Sequence, residues 1–317
     1  MGAGIAGLSA AKLLSNNHNV TVFEKGRSVG GRMSHRVYES YDFDHGAQYF
    51  KICDKRFCEF LYKNCAKSTF MHWVARFASI DQGEIINSRC WGKSNFVGVP
   101  SMNSLLKDLS IGLNIYLNTK INNLIWKKNK WELEIKQNKK IRSFDFVIIT
   151  APAPQAKELI PDNCLFKKEI EKKLMKSCFT LMLGFEDNPI KNFDAAFVKD
   201  KIISWISVNN SKPLRATKPS IVINSTNSWA DKHIDNDLRY VTQKMKNKLE
   251  EILNSKINPV YSDLHRWRYA NIESQNGPKF YYDSKLNLAA CGDWCIKGRV
   301  ESAFISALSL YDMINHI

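Results

Sequence analysis

The chain has 317 residues, 44% of them hydrophobic and 24% charged, which is the composition of a globular protein with a full apolar core. Its length favours two lobes over one. No apolar run reaches the roughly 18–20 residues of a membrane-spanning helix, and the apolar opening stretch lacks the basic residues and the cleavage site of a secretion signal. We therefore expect a cytoplasmic protein with no membrane partner.

The chain is strongly basic. Lysine and arginine total 46 against 31 acidic residues, so the formal net charge is +15. Such an excess is typical of nucleic-acid-binding proteins, but the basic residues are dispersed along this chain. We expect no nucleic-acid partner and interpret the high Lys and Asn content as compositional drift; a positive field that helps to attract an anionic nucleotide substrate is the alternative.

The eight cysteines form no C-x-x-C pair and no paired His-Cys spacing, so we expect no metal site. Most of these thiols are expected to stay reduced and to fill the core as small apolar groups. Cys291 and Cys295 flank a motif described below, and a redox disulfide between them is an alternative.

A G-x-G-x-x-G motif opens the chain. It is followed by small apolar residues that predict a helix over residues 5–15, and residues 20–24 then predict a short strand that ends in Glu24. Glycines in this context let backbone N–H groups and a helix N-terminus approach a pyrophosphate, and an acid about 20 residues further on suits a ribose hydroxyl. The residues expected to bind the cofactor here are Gly2, Gly4, Ile5, Ala6, Gly7 and Glu24.

A second glycine pair, Gly30-Gly31, follows the acid and is flanked by arginines. Such a pair gives the backbone another close approach to phosphates, and the arginines add positive charge. This arrangement is typical of FAD proteins of the amine-oxidase superfamily, and a solvated loop is the alternative. The residues expected to contact the cofactor here are Lys25, Gly31, Arg32 and Met33.

The middle of the chain is predicted to be rich in sheet. Strands are predicted over residues 113–117 and 144–150, with a hairpin of residues 121–126 and 131–135 between them. Helices are predicted over residues 167–176 and 236–254, and strands over residues 179–185, 202–208 and 220–225. The last three strands indicate an antiparallel sheet inserted between two cofactor-binding segments.

A third motif lies near the C-terminus, where a strand is predicted over residues 288–290 and a helix over residues 301–314. A Gly-Asp pair between them can hydrogen-bond ribityl or pyrophosphate oxygens, and the helix N-terminus would place its positive dipole near the pyrimidine edge of a flavin. The residues expected to contact the cofactor here are Gly292, Asp293, Arg299, Val300 and Glu301. Because nucleotide motifs stand at both ends of the chain, we expect a discontinuous cofactor domain.

Several longer blocks resemble the bacterial renalase-like flavoproteins nearly from end to end. The blocks are residues 24–34, 43–50 (FDHGAQYF), 150–156 (TAPAPQA), 211–213 (SKP), 265–270 (HRWRYA), 291–295 (CGDWC) and 298–301 (GRVE). The resemblance implies an α/β fold, in which a Rossmann-type FAD-binding domain carries an inserted antiparallel-sheet-plus-helix substrate domain like that of p-hydroxybenzoate hydroxylase. We expect the FAD-binding domain to comprise residues 1–52, 95–160 and 283–317, and the substrate domain to comprise residues 53–94 and 161–282.

The resemblance also implies cofactor contacts and a reaction. The backbone of Ile121 would lie at the adenine, and Gln48 and Tyr49 would lie near the isoalloxazine. Family members of known activity oxidise reduced pyridine nucleotides that carry the hydride at ring position 2 or 6; dioxygen then reoxidises the flavin, and NAD(P)+ and hydrogen peroxide are released. Trp294 stands where covalent attachment would need a Cys or His, so we expect non-covalent FAD.

Hydride transfer to a flavin needs positioning and exclusion of water rather than an acid–base pair, and no paired-carboxylate or Ser-His-Asp pattern is evident. His265, Trp267 and Tyr269 alternate along one predicted strand and therefore face one way. They form either an ordinary core row or the wall that stacks a dihydropyridine against the flavin. Tyr49 and Trp205 are further candidates for this pocket.

Acidic and imidazole side chains cluster in the block of residues 43–50. Asp42, Asp44 and His45 could suggest a metal site. Their place before Gly46, in a segment that the resemblance puts beside the flavin, favours structural hydrogen bonds instead. We expect no resident metal.

Two other functions remain open. A flavin amine oxidase or desaturase would act on an amine or an isoprenoid, and it would carry a different substrate lobe, without the blocks at residues 43–50 and 265–270. A non-catalytic protein would bind FAD or NAD without turnover. Absence of flavin bleaching with any reductant would favour that last alternative.

A Rossmann unit begins with a central strand that precedes the glycine motif, yet only Met1 precedes Gly2. We expect a start codon assigned too late or a truncated gene. A form extended upstream by a Val/Ile-rich run is expected to be yellow and stable. The 317-residue chain is expected to bind FAD weakly or to aggregate.

Overall fold

The computed structural model describes residues 1–90, 94–135 and 141–316. In these ranges the α-helices are α1 Ile5–Leu14, α2 Lys55–Asn64, α3 Ser104–Ser110, α4 Ala153–Leu159, α5 Lys167–Glu171, α6 Asn227–His233, α7 Leu238–Leu253 and α8 Val300–Ile314. The strands are β1 Thr21–Phe23, β2 Arg36–Tyr38, β3 Tyr41–Phe43, β4 Phe70–His72, β5 Arg76–Asp81, β6 Glu84–Cys90, β7 Phe96–Gly98, β8 Asn114–Tyr116, β9 Ile121–Lys127, β10 Lys130–Ile135, β11 Ile141–Phe144, β12 Val147–Ile149, β13 Lys176–Gly184, β14 Ala195–Lys199, β15 Ile203–Val208, β16 Ser220–Ser225, β17 Tyr261–Asn271, β18 Phe280–Asp283 and β19 Leu288–Cys291. None of these helices combines the length and the apolar character that crossing a membrane requires.

Two small sheets lie where the two ends of the chain meet. β1 pairs in parallel with β8, and β12 pairs in parallel with β19, whose other edge binds β18 antiparallel. Ala10 of α1 and the residues Ala307 and Leu310 of α8 share an apolar cluster with Ala289 and Cys291 of β19. Parallel strands with helices packed on them form the α/β arrangement that binds dinucleotides.

Met1 and Gly2 lie between these two sheets. The amino group of Met1 donates a hydrogen bond to the carbonyl of Ile148 at 2.6 Å, and the amide of Thr150 donates to the carbonyl of Met1 at 2.9 Å. On the other side, the amide of Gly2 donates to the carbonyl of Phe23 at 2.8 Å. These residues therefore connect β1 to β12 beside the glycine loop. The expectation about a longer form stays a prediction.

The larger sheet has seven strands in the order β17-β13-β16-β15-β14-β5-β6, and it is antiparallel except between β14 and β5. The helix α7 covers the back face of this sheet. Its apolar residues recur every three or four positions and so form one face, which packs on the sheet. Val241, Met245 and Leu249 of α7 pack in one cluster with Phe179 and Leu181 of β13.

The front face of this sheet carries the residues that alternate with those of the core. Thr180 of β13 lies directly opposite His265 of β17, and Cys178 lies opposite Trp267. Residues opposite one another on neighbouring strands share a face. The hairpin of β2 and β3 covers part of this front face, since β3 packs there in a small apolar cluster.

The structure differs from the sequence prediction in several elements. The helix predicted over residues 167–176 ends at Glu171, because Lys176 already pairs with Asn271 in the sheet. The hairpin β2–β3 and the pair β5–β6 were not predicted as strands, and only residues 265–269 of the long strand β17 were. α2 falls within the expected substrate domain, yet its Phe57 and Phe60 contact Phe304 of α8.

Candidate functional site

The first glycine loop leaves room for a ligand at one position. An ideal Cβ at Gly4 would meet no atom of the described chain within 4 Å, whereas one at Gly7 would lie 2.0 Å from the carbonyl oxygen of Gly2. Gly7 therefore allows close packing of α1, and Gly4 borders open space. No described side chain caps α1, which begins at Ile5, continues with Ala6 and has no acid in its first turn. Free amides at a helix N-terminus suit a phosphate.

Glu24 is held at the end of β1 by backbone donors. Its carboxylate accepts hydrogen bonds from the amide of Ala3 at 2.8 Å and from the amide of Gly26 at 2.6 Å. The ammonium group of Lys25 donates to the side chain of Gln155 at 3.0 Å. Each carboxylate oxygen keeps a further lone pair, so Glu24 can accept a hydrogen bond from a ribose hydroxyl.

The segment before β9 closes on the same place. The amide of Thr119 donates to the carbonyl of Glu24 at 2.8 Å. Ile121 begins β9 and is buried. This contact brings the residue expected at the adenine near the acid expected at the ribose.

The second glycine pair lies against the first loop. Gly31 adopts a φ of +55°, and a Cβ there would lie 3.2 Å from the Cα of Gly4. The amide of Gly30 donates to the carbonyl of Ala3 at 2.9 Å. Met33 is buried beneath this loop. Glycine is required at position 31 because a side chain would sit in a left-handed conformation and against Gly4.

Arg32 connects the second motif with the third. Its guanidinium forms a bidentate ion pair with the buried carboxylate of Asp293, and one nitrogen donates to an oxygen of that carboxylate at 2.9 Å. The same nitrogen donates to the carbonyl of Ala270 at 3.0 Å. Planar bidentate pairs of this kind fix geometry strongly. The cofactor motif at the N-terminus, the one at the C-terminus and the end of β17 are thereby joined.

The third motif is shaped by a buried tryptophan. A Cβ at Gly292 would lie 2.6 Å from the indole nitrogen of Trp294, which donates to the carbonyl of Ala151 at 3.0 Å. α8 then begins at Val300 with Arg299 at its N-cap position, and no described side chain caps it. A second helix N-terminus with free amides therefore lies near the motif.

Two residues of this motif have structural contacts of their own. The carboxylate of Glu301 accepts hydrogen bonds from the amides of Cys53 at 2.6 Å and of Asp54 at 2.8 Å, and so holds the loop before α2. Cys291 and Cys295 are free, buried thiols in the described structure, and the alternative of a redox disulfide between them stays a prediction. Burial raises the pKa of Cys291 to about 12, which keeps this thiol protonated.

Asp44 is the centre of a fully buried ion cluster. Its carboxylate accepts hydrogen bonds from Lys212 at 3.2 Å, from Arg215 at 2.7 Å, from the ring of His35 at 3.1 Å and from the amide of Met102 at 3.0 Å. Burial alone would raise the pKa of Asp44, but Lys212, His35 and Arg215 together hold it well below its usual range. The carboxylate is therefore charged and structural.

Asp42 also makes structural hydrogen bonds, to the side chain of Asn209 at 3.0 Å and to the amide of Ala216 at 2.9 Å. Within the described ranges, no group of three or more His, Cys, Asp or Glu side chains is placed to hold a metal ion. The hydrogen-bonding interpretation of Asp42 and Asp44 agrees with these contacts.

Gln48 and Tyr49 lie next to one another but differ in their surroundings. The amide of Gln48 is buried and donates to the carbonyls of Asp44 at 2.6 Å and of Gly46 at 3.0 Å. Tyr49 is half-buried and contacts the indole of Trp205, with ring centroids 5.8 Å apart. Burial raises the pKa of Tyr49, so it stays a neutral phenol. Of the two, Tyr49 is the side chain that can reach a ligand.

The row on β17 meets the flavin-side block through His45. The ring of Trp267 lies 4.1 Å from that of His265 and 5.6 Å from that of His45, and the indole nitrogen of Trp267 donates to the carbonyl of His45 at 3.0 Å. Tyr269 lies further along β17, where the pairing with β13 shifts register, and is half-buried. These three residues of β17 are neither fully buried nor exposed. The surface formed by His45, His265 and Trp267 is called the wall below.

Both imidazoles of this wall are uncharged at neutral pH. Burial, with His265 and Arg36 nearby, lowers the pKa of His45 to about 3. Burial and Arg36 likewise lower the pKa of His265 to about 4. Arg36 lies 3.5 Å from the ring nitrogen of His265 and forms an ion pair with Asp263.

Sequence reasoning missed Lys212 as a buried cation, although it quoted the Ser-Lys-Pro block, and it missed Arg215, Asn209, Ser207 and Arg36 altogether. A lysine or arginine between strands is ordinarily exposed to solvent. The burial of Lys212 and Arg215 could therefore not be predicted from their residue types. Only the fold, which places residue 212 against residue 44, identifies the cluster.

Comparisons with known proteins agree with this geometry. Residues 1–61 match the NAD(P)-binding Rossmann-like domain, and residues 90–309 match the flavin containing amine oxidoreductase family. Renalase of Mus musculus is 26% identical over 294 residues, which cover 86% of this chain and 84% of the mouse protein. A 4,4'-diapophytoene desaturase of Staphylococcus haemolyticus is 44% identical over 55 residues, or 17% of this chain and 11% of its own length.

Solved structures show the same fold at low sequence identity. An oxidoreductase from Methanosarcina mazei has a TM-score of 0.75 at 13% identity and covers 98% of both chains. A double mutant of putrescine oxidase has a TM-score of 0.75 at 11% identity, covering 100% of this chain and 98% of its own. The expected α/β fold with a Rossmann-type cofactor domain is confirmed, as is the resemblance to renalase-like flavoproteins. The chain belongs to the flavin containing amine oxidoreductase family and is a flavin-dependent oxidoreductase.

Proposed function

We propose that the flavin is FAD, held non-covalently by residues 1–52, 95–160 and 283–317. The open space at Gly4, the anchored carboxylate of Glu24 and the two uncapped helix N-termini form a set of groups suited to a pyrophosphate, a ribose and a flavin pyrimidine. Trp294 is buried and hydrogen-bonded to Ala151, so the residue at the expected linker position offers no nucleophile.

We further propose that the enzyme oxidises isomeric reduced pyridine nucleotides, those that carry the hydride at ring position 2 or 6. The bound FAD would supply the hydride acceptor, and dioxygen would then take up the electron pair to give hydrogen peroxide. A dihydropyridine that loses a hydride becomes an aromatic cation without losing a proton. The protein therefore has to orient the ring and exclude water.

The wall of His265, Trp267 and His45 is the observation that carries this proposal. Its two imidazoles have pKa values of about 4 and about 3, so both are uncharged at pH 7 and neither supplies an imidazolium as a general acid. An indole beside two neutral rings offers flat surfaces on which a dihydropyridine can stack. Trp205 lies in the same row across the sheet as His265, through Asn224 and Thr180, and Tyr49 contacts Trp205. Tyr269 precedes Ala270, whose carbonyl accepts a hydrogen bond from Arg32.

Charge favours an anionic nucleotide over a protonated amine. Arg36 borders the wall next to His265 and is paired with Asp263, so the wall itself carries no net charge and the preference comes from the charge of the whole chain. The chain as a whole carries a formal net charge of +15. Such a field attracts phosphate groups and repels diamines. The family also contains enzymes that act on amines, so amine substrates form the comparison arm of the test.

Replacing Trp267 with Ala is expected to slow anaerobic flavin reduction by roughly tenfold to a hundredfold, because the reacting ring loses its stacking partner and its orientation. The flavin content is expected to stay near normal, since no predicted cofactor contact is removed. Stopped-flow absorbance at the flavin band measures the rate. Trp267→Phe, which keeps a flat ring, is expected to recover most of it.

The matched control is Trp229→Phe, because Trp229 packs on the back face of the same sheet against Phe179. It should leave the reduction rate unchanged. A Trp267→Ala protein that loses its flavin or fails to fold, with no selective kinetic defect, would instead support an ordinary core role for this residue.

A further inference from the structure

Lys212 is a lysine whose side chain has no exposed surface. Its ammonium group donates to Asp44 at 3.2 Å, to the side-chain oxygen of Asn209 at 3.0 Å and to the side-chain oxygen of Gln48 at 3.2 Å. The three donors of an ammonium group are thus matched by three acceptors. Asp44 supplies the charge that compensates the ammonium group. The neutral side chain of Gln48 supplies none, so its contact with Lys212 has another role.

The side chain of Gln48 connects Lys212 to the main chain by hydrogen bonds. Its side-chain oxygen accepts from Lys212 and from the hydroxyl of Ser207 at 2.8 Å, while its nitrogen donates to the carbonyls of Asp44 and Gly46. An ammonium group can only donate. It therefore fixes which end of the amide is the oxygen, and the nitrogen is directed at the turn formed by residues 44–46.

This turn lies against the cofactor motifs. The amide of Ala47 donates to the carbonyl of Arg32 at 2.8 Å, and a Cβ at Gly46 would lie 2.0 Å from the same oxygen. Arg32 in turn binds Asp293 of the third motif. The next residue after Gln48 is Tyr49, which borders Trp205.

We propose that Lys212 is a positioning residue for the flavin reaction: through Gln48 it holds residues 44–49 against Arg32 and so sets where Tyr49 and the turn meet the flavin. This proposal rests on the flavin site proposed above. It assigns a role to a residue of the substrate lobe that touches neither of the glycine motifs.

The neighbouring Arg215 allows the positioning role of Lys212 to be distinguished from its role as a counter-ion of Asp44. Arg215 binds the same carboxylate of Asp44 at 2.7 Å and also donates to the carbonyls of Gly98 at 2.8 Å and Pro100 at 2.6 Å. In the described structure its hydrogen bonds go to these groups and to Pro213, and none goes to Gln48. The two cations share the anion, and Lys212 alone of the pair contacts the amide.

The test compares the holoenzymes of Lys212→Met, Arg215→Met and Gln48→Leu with the wild type. Lys212→Met and Gln48→Leu are expected to alter the visible circular dichroism of the bound flavin and to slow its anaerobic reduction by about tenfold or more. The double variant is expected to be no slower than either single variant, because both act on one contact. Arg215→Met is expected to be less stable but to keep the wild-type spectrum and rate.

The pH profile gives a second readout. Burial lowers the pKa of Lys212 to about 8, although the charge of Asp44 raises it. The other charged groups that face the ammonium group are Arg215 and Asp42. Its neutral neighbours are Asn209, Gln48 and the ring of Trp73. The wild-type reduction rate is therefore expected to fall as the pH rises through about 8, and Lys212→Met is expected to lack this step.

Equal defects in Lys212→Met and Arg215→Met, or a Gln48→Leu protein with the wild-type spectrum and rate, would overturn the proposal. If Lys212→Met does not fold, Gln48→Leu decides the matter alone, because it leaves the pair of Lys212 and Asp44 in place. The dichroism needs no substrate, so it still tests the positioning role if the wild type turns out not to react with dihydropyridines.

Discussion

The variant Asp44→Asn is expected to lower the free energy of unfolding by about 3–5 kcal/mol. Asn keeps the shape of the side chain but removes the negative charge, so Lys212 and Arg215 stay buried without a counter-ion. Urea unfolding monitored by circular dichroism measures the change. The control is Asp162→Asn, whose side chain is 99% exposed and pairs with Lys167, and which should leave the urea unfolding curve essentially unchanged.

The same residue makes stability depend on pH. The pKa of Asp44 is well below its usual range in the folded protein, so its contribution is complete above the carboxyl pKa of the unfolded chain, about 3.9, and is lost as the pH falls below it. The difference between wild type and Asp44→Asn should therefore be full at pH 7 and shrink toward acid. A variant as stable as the wild type at pH 7 would mean that the ion cluster does not hold this part of the fold together.

Replacing Gly4 with Val is expected to leave a folded protein that has lost most of its flavin. The backbone at this position has φ −80° and ψ −177°, an extended conformation that a β-branched residue adopts readily. Outside its two chain neighbours, no described atom lies within 4 Å of an added Cβ, so the side chain is expected to occupy the space proposed for the pyrophosphate. We expect the affinity for FAD to fall at least about tenfold, or 1.4 kcal/mol.

The control is Gly7→Ala, in which the added carbon would lie 2.0 Å from the carbonyl oxygen of Gly2. This variant is expected to lose stability as well as flavin. The flavin is measured by absorbance and then released by acid precipitation and identified as FAD by chromatography. Full FAD content in Gly4→Val, or flavin that remains with the polypeptide after acid, would contradict the proposed cofactor site.

The cofactor motifs could be predicted from the sequence because their chemistry is local. Gly2 and Gly4 lie in the loop before α1, and Gly7 lies in its first turn. Glu24 follows directly after β1, the next strand along the chain. A spacing of this kind is fixed by the covalent chain. The same holds for the hairpin of β9 and β10, whose strands are joined by a turn of two residues.

The rest of the site depends on contacts between distant parts of the chain. Lys212 and Asp44 are 168 residues apart, and Arg32 and Asp293 are 261 apart. Only residues 265–269 of β17 were predicted as a strand, from their alternating rings, because the Asp, Arg and Asn residues along it hide the full 11-residue strand. Tertiary pairing also overrode the helical pattern after Glu171, because Lys176 belongs to the sheet.

The central claim is that the enzyme takes hydride from a dihydropyridine nucleotide. The direct measurement is anaerobic mixing of the holoenzyme with 2- and 6-dihydroNAD or 2- and 6-dihydroNADP, in parallel with a diamine such as putrescine, while the flavin absorbance is followed. Rapid bleaching by the nucleotide isomers with formation of NAD or NADP, and none by the diamine, is the predicted result. Bleaching by the diamine and not by the nucleotides would contradict the account and favour amine oxidation.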